Sequence, residues 1–186
     1  MNETPRIWKT ILSEKMADCR VFDVRRDVCV DETEEREATF YCIESRDWCN
    51  VIPLTADNEV VLIEQFRHGV QKVTLEIPGG MIDDGEDPQT AAARELLEET
   101  GYAPQEIVSL GKAFPNPAIQ NNTVHFFVAR GCRKKQEPHF DATEHTVARL
   151  VPLAAIKNLI AREEIEHSLV LNAFLRFFLR ENELTK

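Results

Sequence analysis

No run of apolar residues in this 186-residue chain is long enough to cross a bilayer. The opening stretch, MNETPRIWKT, lacks the apolar core of a secretion signal. Together these absences lead to the expectation of a cytoplasmic protein. Cations are in short supply, with 22 Lys and Arg against 32 Asp and Glu, a formal net charge of −10. Such a surface repels phosphate backbones at long range, which argues against broad nucleic-acid binding. A small phosphate ligand stays compatible, because local arginines or a divalent ion can reverse the sign of one pocket. No C-x-x-C pair and no zinc-ligand spacing links Cys19, Cys29, Cys42, Cys49 and Cys132. An odd number of cysteines without a secretion signal reads as reduced, mostly buried thiols. Internal repeats and low-complexity tracts are missing too.

What the chain does have is material for a core. Its hydrophobic fraction is 43%, with ten Phe, at a length that suits one domain and a small appended subdomain. Stretches 20–30 and 38–45 are rich in β-formers and flank the acidic DETEERE, so two strands joined by a polar turn are expected. Strands are also expected over 49–55, 59–67, 72–80, 123–130 and 147–153, the last running into a helix near 153–161. Segment 114–122, FPNPAIQNN, is too rich in Pro and Asn for a regular element, and 133–144 reads as an exposed loop. A final helix near 166–180 carries Val170, Ala173, Phe174 and Phe177 on one stripe and Leu171, Leu175 and Phe178 on another. Core packing is the expected use of both. Strands dominate the first part and alternate with helices in the second. That pattern predicts an α/β domain over 49–186 preceded by a β extension over 1–48.

One helix is punctuated clearly. Asp87 suits an N-cap, Pro88 the first helical position, and Gly101 a left-handed C-terminal cap. Ala92, Ala93, Leu96 and Leu97 supply its apolar face. Glu95, Glu98 and Glu99 crowd its second half, at spacings that put all three on neighbouring points of one surface. Like charges so placed cost about 0.2–0.5 kcal/mol per pair, and the helix dipole disfavours anions at this end. Arg94 can pair with Glu98 but neutralises only one of them. A divalent cation resolves the conflict, and hard carboxylate oxygens suit Mg²⁺ or Mn²⁺. Taken alone, the E-x-x-E-E spacing favours a solvated charged face.

The flanking residues decide between these. Gly80, Glu86, Arg94, Glu95, Leu96, Glu98, Glu99, Gly101 and Tyr102 match every fixed position of G-x5-E-x7-R-E-U-x-E-E-x-G-U, where U is apolar or aromatic. The chain therefore resembles the Nudix hydrolases. The resemblance implies an α/β/α sandwich with a mixed sheet, and cleavage of a nucleoside diphosphate linked to another group with Mg²⁺ or Mn²⁺. It also implies that Glu95 and Glu99 are metal ligands, that Glu98 is a ligand or a base, and that the Gly79 carbonyl is a backbone ligand. Glu86 and Arg94 would brace the loop as an ion pair, and Gly80 and Gly101 would permit its turns.

Outside this box, EQFR (64–67), LEIPGG (75–80) and Pro117, sixteen residues after Gly101, resemble the ADP-ribose pyrophosphatase group of the family. By that resemblance Arg67 contacts a phosphate and Glu76 lines the cleft. The N-terminal strands would make a homodimer with a shared substrate pocket, where Trp8 or Phe22 stacks on a nucleobase. Glu144 is the candidate general base, with Glu137 in reserve. Asn116, Asn121 and Asn122 either bond substrate or fix their loop, and His125 reads as a core histidine. Competing readings are another Nudix substrate (a dinucleoside polyphosphate, a nucleoside triphosphate or capped RNA) and a non-catalytic nucleotide-binding module. The acidic charge weighs against RNA, and the intact glutamates weigh against the module.

Overall fold

The computed structural model describes residues 5–31, 33, 35–140 and 145–184, with no side-chain description from 182 on. Contacts divide it into two compact units, residues 1–46 with 114–123, and residues 47–113 with 124–186. The irregular segment 114–123 thus groups with the N-terminal strands rather than with its sequence neighbours.

The first unit is an antiparallel sheet of β1 (Trp8–Asp18), β2 (Asp23–Asp31) and β3 (Arg36–Glu44), with β2 in the middle. The sequence gives no sign of β1, because ten of its eleven residues are exposed and no apolar alternation forms. Its pairing with β2 supplies the order, and Ser13 Oγ adds a hydrogen bond of 2.6 Å to Asp27 Oδ1. Segment 114–123 is tied to the end of β3. Ile43 N donates to Ile119 O, Ser45 N to Asn121 Oδ1, and Asn122 Nδ2 to Arg46 O. Asn121 and Asn122 therefore fix their loop.

The second unit contains β4 (Trp48–Thr55), β5 (Glu59–Arg67), β6 (Lys72–Glu76), β7 (Gly79–Met81), α1 (Pro88–Thr100), β8 (Tyr102–Ala103) and β9 (Glu106–Ala113). It continues with β10 (Val124–Lys134), β11 (Thr146–Pro152), a 3-10 turn at Leu153–Ala155, α2 (Ile156–Ala161) and α3 (Ser168–Leu184). The sheet runs β11-β5-β4-β10-β8, with β6 on β5, β7 on β4 and β9 on β10. β4 and β10 are parallel and the other pairs antiparallel, so the sheet is mixed.

Alternation along β4 and β10 sorts side chains into two layers. Cys49, Val51, Phe127 and Ala129 pack with Ala91, Ala92 and Leu96 of α1. Ile52, Leu54, Phe126 and Val128 pack with Val170, Ala173, Phe174 and Phe177 of α3. This is the expected α/β/α sandwich. Each fully buried Leu or Phe here contributes about 1.5–3 kcal/mol. Three details differ from expectation. Ala91, not Ala93, fills the α1 face, and the second stripe of α3 stays partly open, with Leu175 and Leu179 exposed. The expected strand 72–80 is two strands, since Pro78 has no N–H to continue a ladder.

Candidate active site

β7 pairs with β4 through Met81↔Trp48, Gly80↔Cys49 and Gly79↔Asn50, which pins the start of the loop to the sheet. The loop then enters α1 through Asp87, whose carboxylate accepts from Gln89 N and Thr90 N at 3.1 Å each. Satisfying two of the orphan N–H groups is worth about 1 kcal/mol. Gly101 ends the helix at φ 74°, and its N–H donates to Leu97 O at 2.8 Å. A Cβ there would be strained and would collide with the Gln136 carbonyl.

The carbonyls of the two carboxylate-bearing residues at this helix end are fastened from outside. His139 N donates to Glu98 O at 2.8 Å, and Thr146 Oγ1 of β11 donates to Glu99 O at 2.8 Å. Sequence reasoning missed both, because backbone acceptors leave no residue signature. Glu144, the candidate base, lies outside the described residues. Its reserve, Glu137, is an exposed partner of Lys134 at 3.5 Å.

Arg94 organises the carboxylates. Its Nε and Nη2 fork onto Glu86 at 3.0 and 2.9 Å, and Nη2 also donates to Met81 O at 3.1 Å. Nη1 donates to Glu95 Oε1 at 2.8 Å and to Glu98 Oε2 at 3.2 Å. The Arg94 guanidinium beside Glu86 holds that carboxyl below the usual glutamate range. Glu99 is the buried member, 2% exposed, and Gly79 N donates to its Oε2 at 3.0 Å. Beneath the loop, burial pushes the Cys49 thiol up to about 12, so it stays protonated.

Among the described residues, no three His, Cys, Asp or Glu side chains converge tightly enough to enclose a metal ion. The donor set nevertheless fits a divalent ion, being made of hard carboxylate oxygens on one rigid helix. The loop also allows close approach. A Cβ on Gly80 would lie 2.5 Å from Glu95 Oε1, so only glycine lets that carboxylate rest against the backbone.

A second charged group lies on β5 and β6. Arg67 Nε and Nη2 fork onto Glu76 at 2.8 Å each, and Thr74 Oγ1 adds a hydrogen bond to Glu76 Oε1 at 2.5 Å. Glu76 is 1% exposed. Burial opposes its charge, but Arg67 and Thr74 outweigh that and keep its carboxyl below the usual range. His167, just before α3, lies close enough to sense both charges, and burial lowers its own proton affinity. Nothing in the sequence pattern marked Thr74 or His167.

Two expectations concern the first unit. Trp8 packs edge-on against Phe40 with ring centroids 5.2 Å apart, and Pro117 is exposed in its turn. His125 is not a core residue: it is partly exposed, with Nε2 3.5 Å from Asp47 Oδ2. All five cysteines are free thiols, three of them buried.

A mixed sheet between helical layers, with a glutamate-bearing helix entered from a glycine loop, defines a known class. The family model for the NUDIX domain matches residues 46–174. The chain belongs to that family, the Nudix hydrolases. It is 34% identical to the methanol dehydrogenase activator of Bacillus methanolicus over 131 residues, 69% of each chain. It is 28% identical to the ADP-ribose pyrophosphatase of Bacillus subtilis over 116 residues. That stretch is 62% of this chain and 63% of the relative, just short of two thirds of its length. The crystal structure of an ADP compounds hydrolase superposes with a TM-score of 0.82, covering 97% of this chain and 96% of the other. At 21% identity that likeness speaks for the fold alone.

Proposed function

We propose that the protein is a pyrophosphohydrolase that uses Mg²⁺ or Mn²⁺ to cleave ADP-ribose or a related nucleoside diphosphate sugar. Water adds to one phosphorus, the bridging P–O bond breaks, and a nucleoside monophosphate and a sugar phosphate leave. The observation carrying this reading is the loop–helix 79–102, with every fixed residue of the family box and an excess of carboxylates over cations. Relatives named ADP-ribose pyrophosphatase and ADP-sugar pyrophosphatase support the substrate class.

Glu95, Glu98, Glu99 and the Gly79 carbonyl would hold the metal. When bound, the ion supplies positive charge to the diphosphate and to the leaving oxygen. The chain's own groups do the rest. Arg94 and Glu86 keep the loop folded, and Glu98, Glu99 or Glu144 takes the proton from the attacking water. Arg67, oriented by Glu76, faces a phosphate. Trp8 and Pro117 enter as substrate contacts by resemblance only, as does a homodimer built through the N-terminal strands. Among the described residues no helix is long and apolar enough to span a membrane, and we place the enzyme in the cytoplasm.

The test is incubation with ADP-ribose and Mg²⁺, with products read by mass. AMP and ribose phosphate are expected. Cleavage of other pyrophosphates without any AMP from ADP-ribose would remove this substrate class. A second reading, activation of a dehydrogenase, draws on the 34% identity to the Bacillus methanolicus activator. An alcohol dehydrogenase assay with and without the protein decides it: stimulation supports that reading, and unchanged turnover removes it.

A further inference from the structure

A helix leaves its last carbonyls without donors of its own. In α1 the Leu97 carbonyl takes the Gly101 N–H at 2.8 Å. The next two, on Glu98 and Glu99, are reached from outside the helix. His139 N donates to Glu98 O and Thr146 Oγ1 to Glu99 O, each at 2.8 Å. Both glutamates carry side chains assigned above to the metal, and both lie in the turn where a helix ordinarily frays.

Thr146 has a defined place in the sheet. It pairs with Gln65 of β5, and Gln65 pairs with Thr74 of β6. Side chains of directly paired residues share a face, so Thr146, Gln65 and Thr74 form one row on the face that meets α1. All three are buried. A hydroxyl stands at each end of the row. That of Thr146 holds the Glu99 carbonyl, and that of Thr74 bonds Glu76 Oε1 at 2.5 Å, where Glu76 forks Arg67. Two strand spacings, about 10 Å, separate these ends.

We propose that Thr146 is a positioning residue for the hydrolysis. Its hydroxyl fixes the backbone from which Glu98 and Glu99 project, and the row keeps those carboxylates at a set distance from Arg67. The inference rests on the reading of these glutamates as metal ligands. A working ligand must be held within about 0.5 Å of its productive geometry, which a fraying last turn cannot do. A β-branched residue is stiff at χ1, so the Thr146 hydroxyl is aimed before any ligand arrives. Thr146 acts through the main chain of Glu99, not on the reacting atoms.

Calorimetric titration of Mn²⁺ into chelator-treated protein, without substrate, tests this. Thr146→Val keeps the shape and loses the hydroxyl, and it should bind Mn²⁺ about tenfold more weakly than wild type. At saturating Mn²⁺ its kcat should fall by a similar factor with KM held, because Arg67 is untouched. Thr146→Ser should restore both. Asp87→Ala, at the other end of α1, should lose stability yet bind Mn²⁺ as wild type does. A folded Thr146→Val with wild-type Mn²⁺ affinity overturns the inference, as does a serine variant as weak as the valine one. Equal weakening by Asp87→Ala also overturns it, since any loosening of the helix would then suffice. Hydrogen exchange on wild type needs no variant that folds. The Gly101 amide should exchange no faster than the paired amides of β11 and β5, and exchange tenfold faster or more would show that the last turn is not held. A wild type that takes up no Mn²⁺ removes the metal reading itself, so the two failures are distinct.

Discussion

Arg67 and Arg94 sit in the same unit and are both forked by a glutamate, but their surroundings differ in charge count. Arg67 forks onto Glu76, which is buried and further bonded by Thr74. Arg94 meets Glu86, Glu95 and Glu98, with Glu99 buried close by on the same helix. The second gathers three carboxylates around one guanidinium. Both begin with the same Arg–Glu fork, and only the second gathers further carboxylates from one helix.

Glu99→Gln separates them most strongly. It removes charge from the second group while keeping an acceptor for Gly79 N, so hydrolysis should fall on the order of 10²-fold or more. Melting without metal should hold steady or rise, as repulsion is relieved. A variant with full turnover would place the chemistry elsewhere.

Arg67→Ala should lower stability as well as turnover. It strands the buried Glu76 charge and should cost about 2–3 kcal/mol, moderated by water on the half-exposed guanidinium side. Urea unfolding reads this directly, and a loss below about 0.5 kcal/mol would show that the pair adds little. The pH dependence has a defined sign. The folded carboxyl of Glu76 lies below its ordinary 4.5, so the stability it contributes is complete above that pH. It is lost as pH falls through the folded value. Melting curves of wild type should therefore drop more steeply in that acid window than those of Glu76→Gln. Parallel curves would contradict the assignment.

The smallest effect belongs to the helix cap. Asp87→Ala removes an acceptor shared by Gln89 and Thr90. It should cost about 1 kcal/mol, or roughly 2–4 °C in melting temperature. Any larger loss would mean that Asp87 does more than cap.

Legibility in the sequence follows the same physical divide. Asp87, Pro88 and Gly101 bound α1 as expected, because caps act through local backbone chemistry. The parallel contact of β4 with β10 was not anticipated, since both strands are buried on two faces and their near-continuous apolar runs carry no mark of direction. β9 was not anticipated, since only Leu110 along it is buried and Gly111 interrupts its pattern. β1 was missed for the same reason. At the site, residue types were readable but partners were not. The spacing of Arg94 and Glu98 suggests their pair, whereas the hydrogen bonds to Glu95 and to the Met81 carbonyl arise only from how the loop folds back. The hydroxyl of Thr146 reaches α1 across 47 residues of chain, beyond any local signal.

The central claim, that these glutamates gather a cation to hold a diphosphate, is tested most directly by a crystal soaked with Mn²⁺ and a non-hydrolysable ADP-ribose analogue. Anomalous scattering should place manganese among Glu95, Glu98 and Glu99, in contact with the analogue's phosphate oxygens. Manganese absent from those carboxylates while the analogue is bound would contradict it.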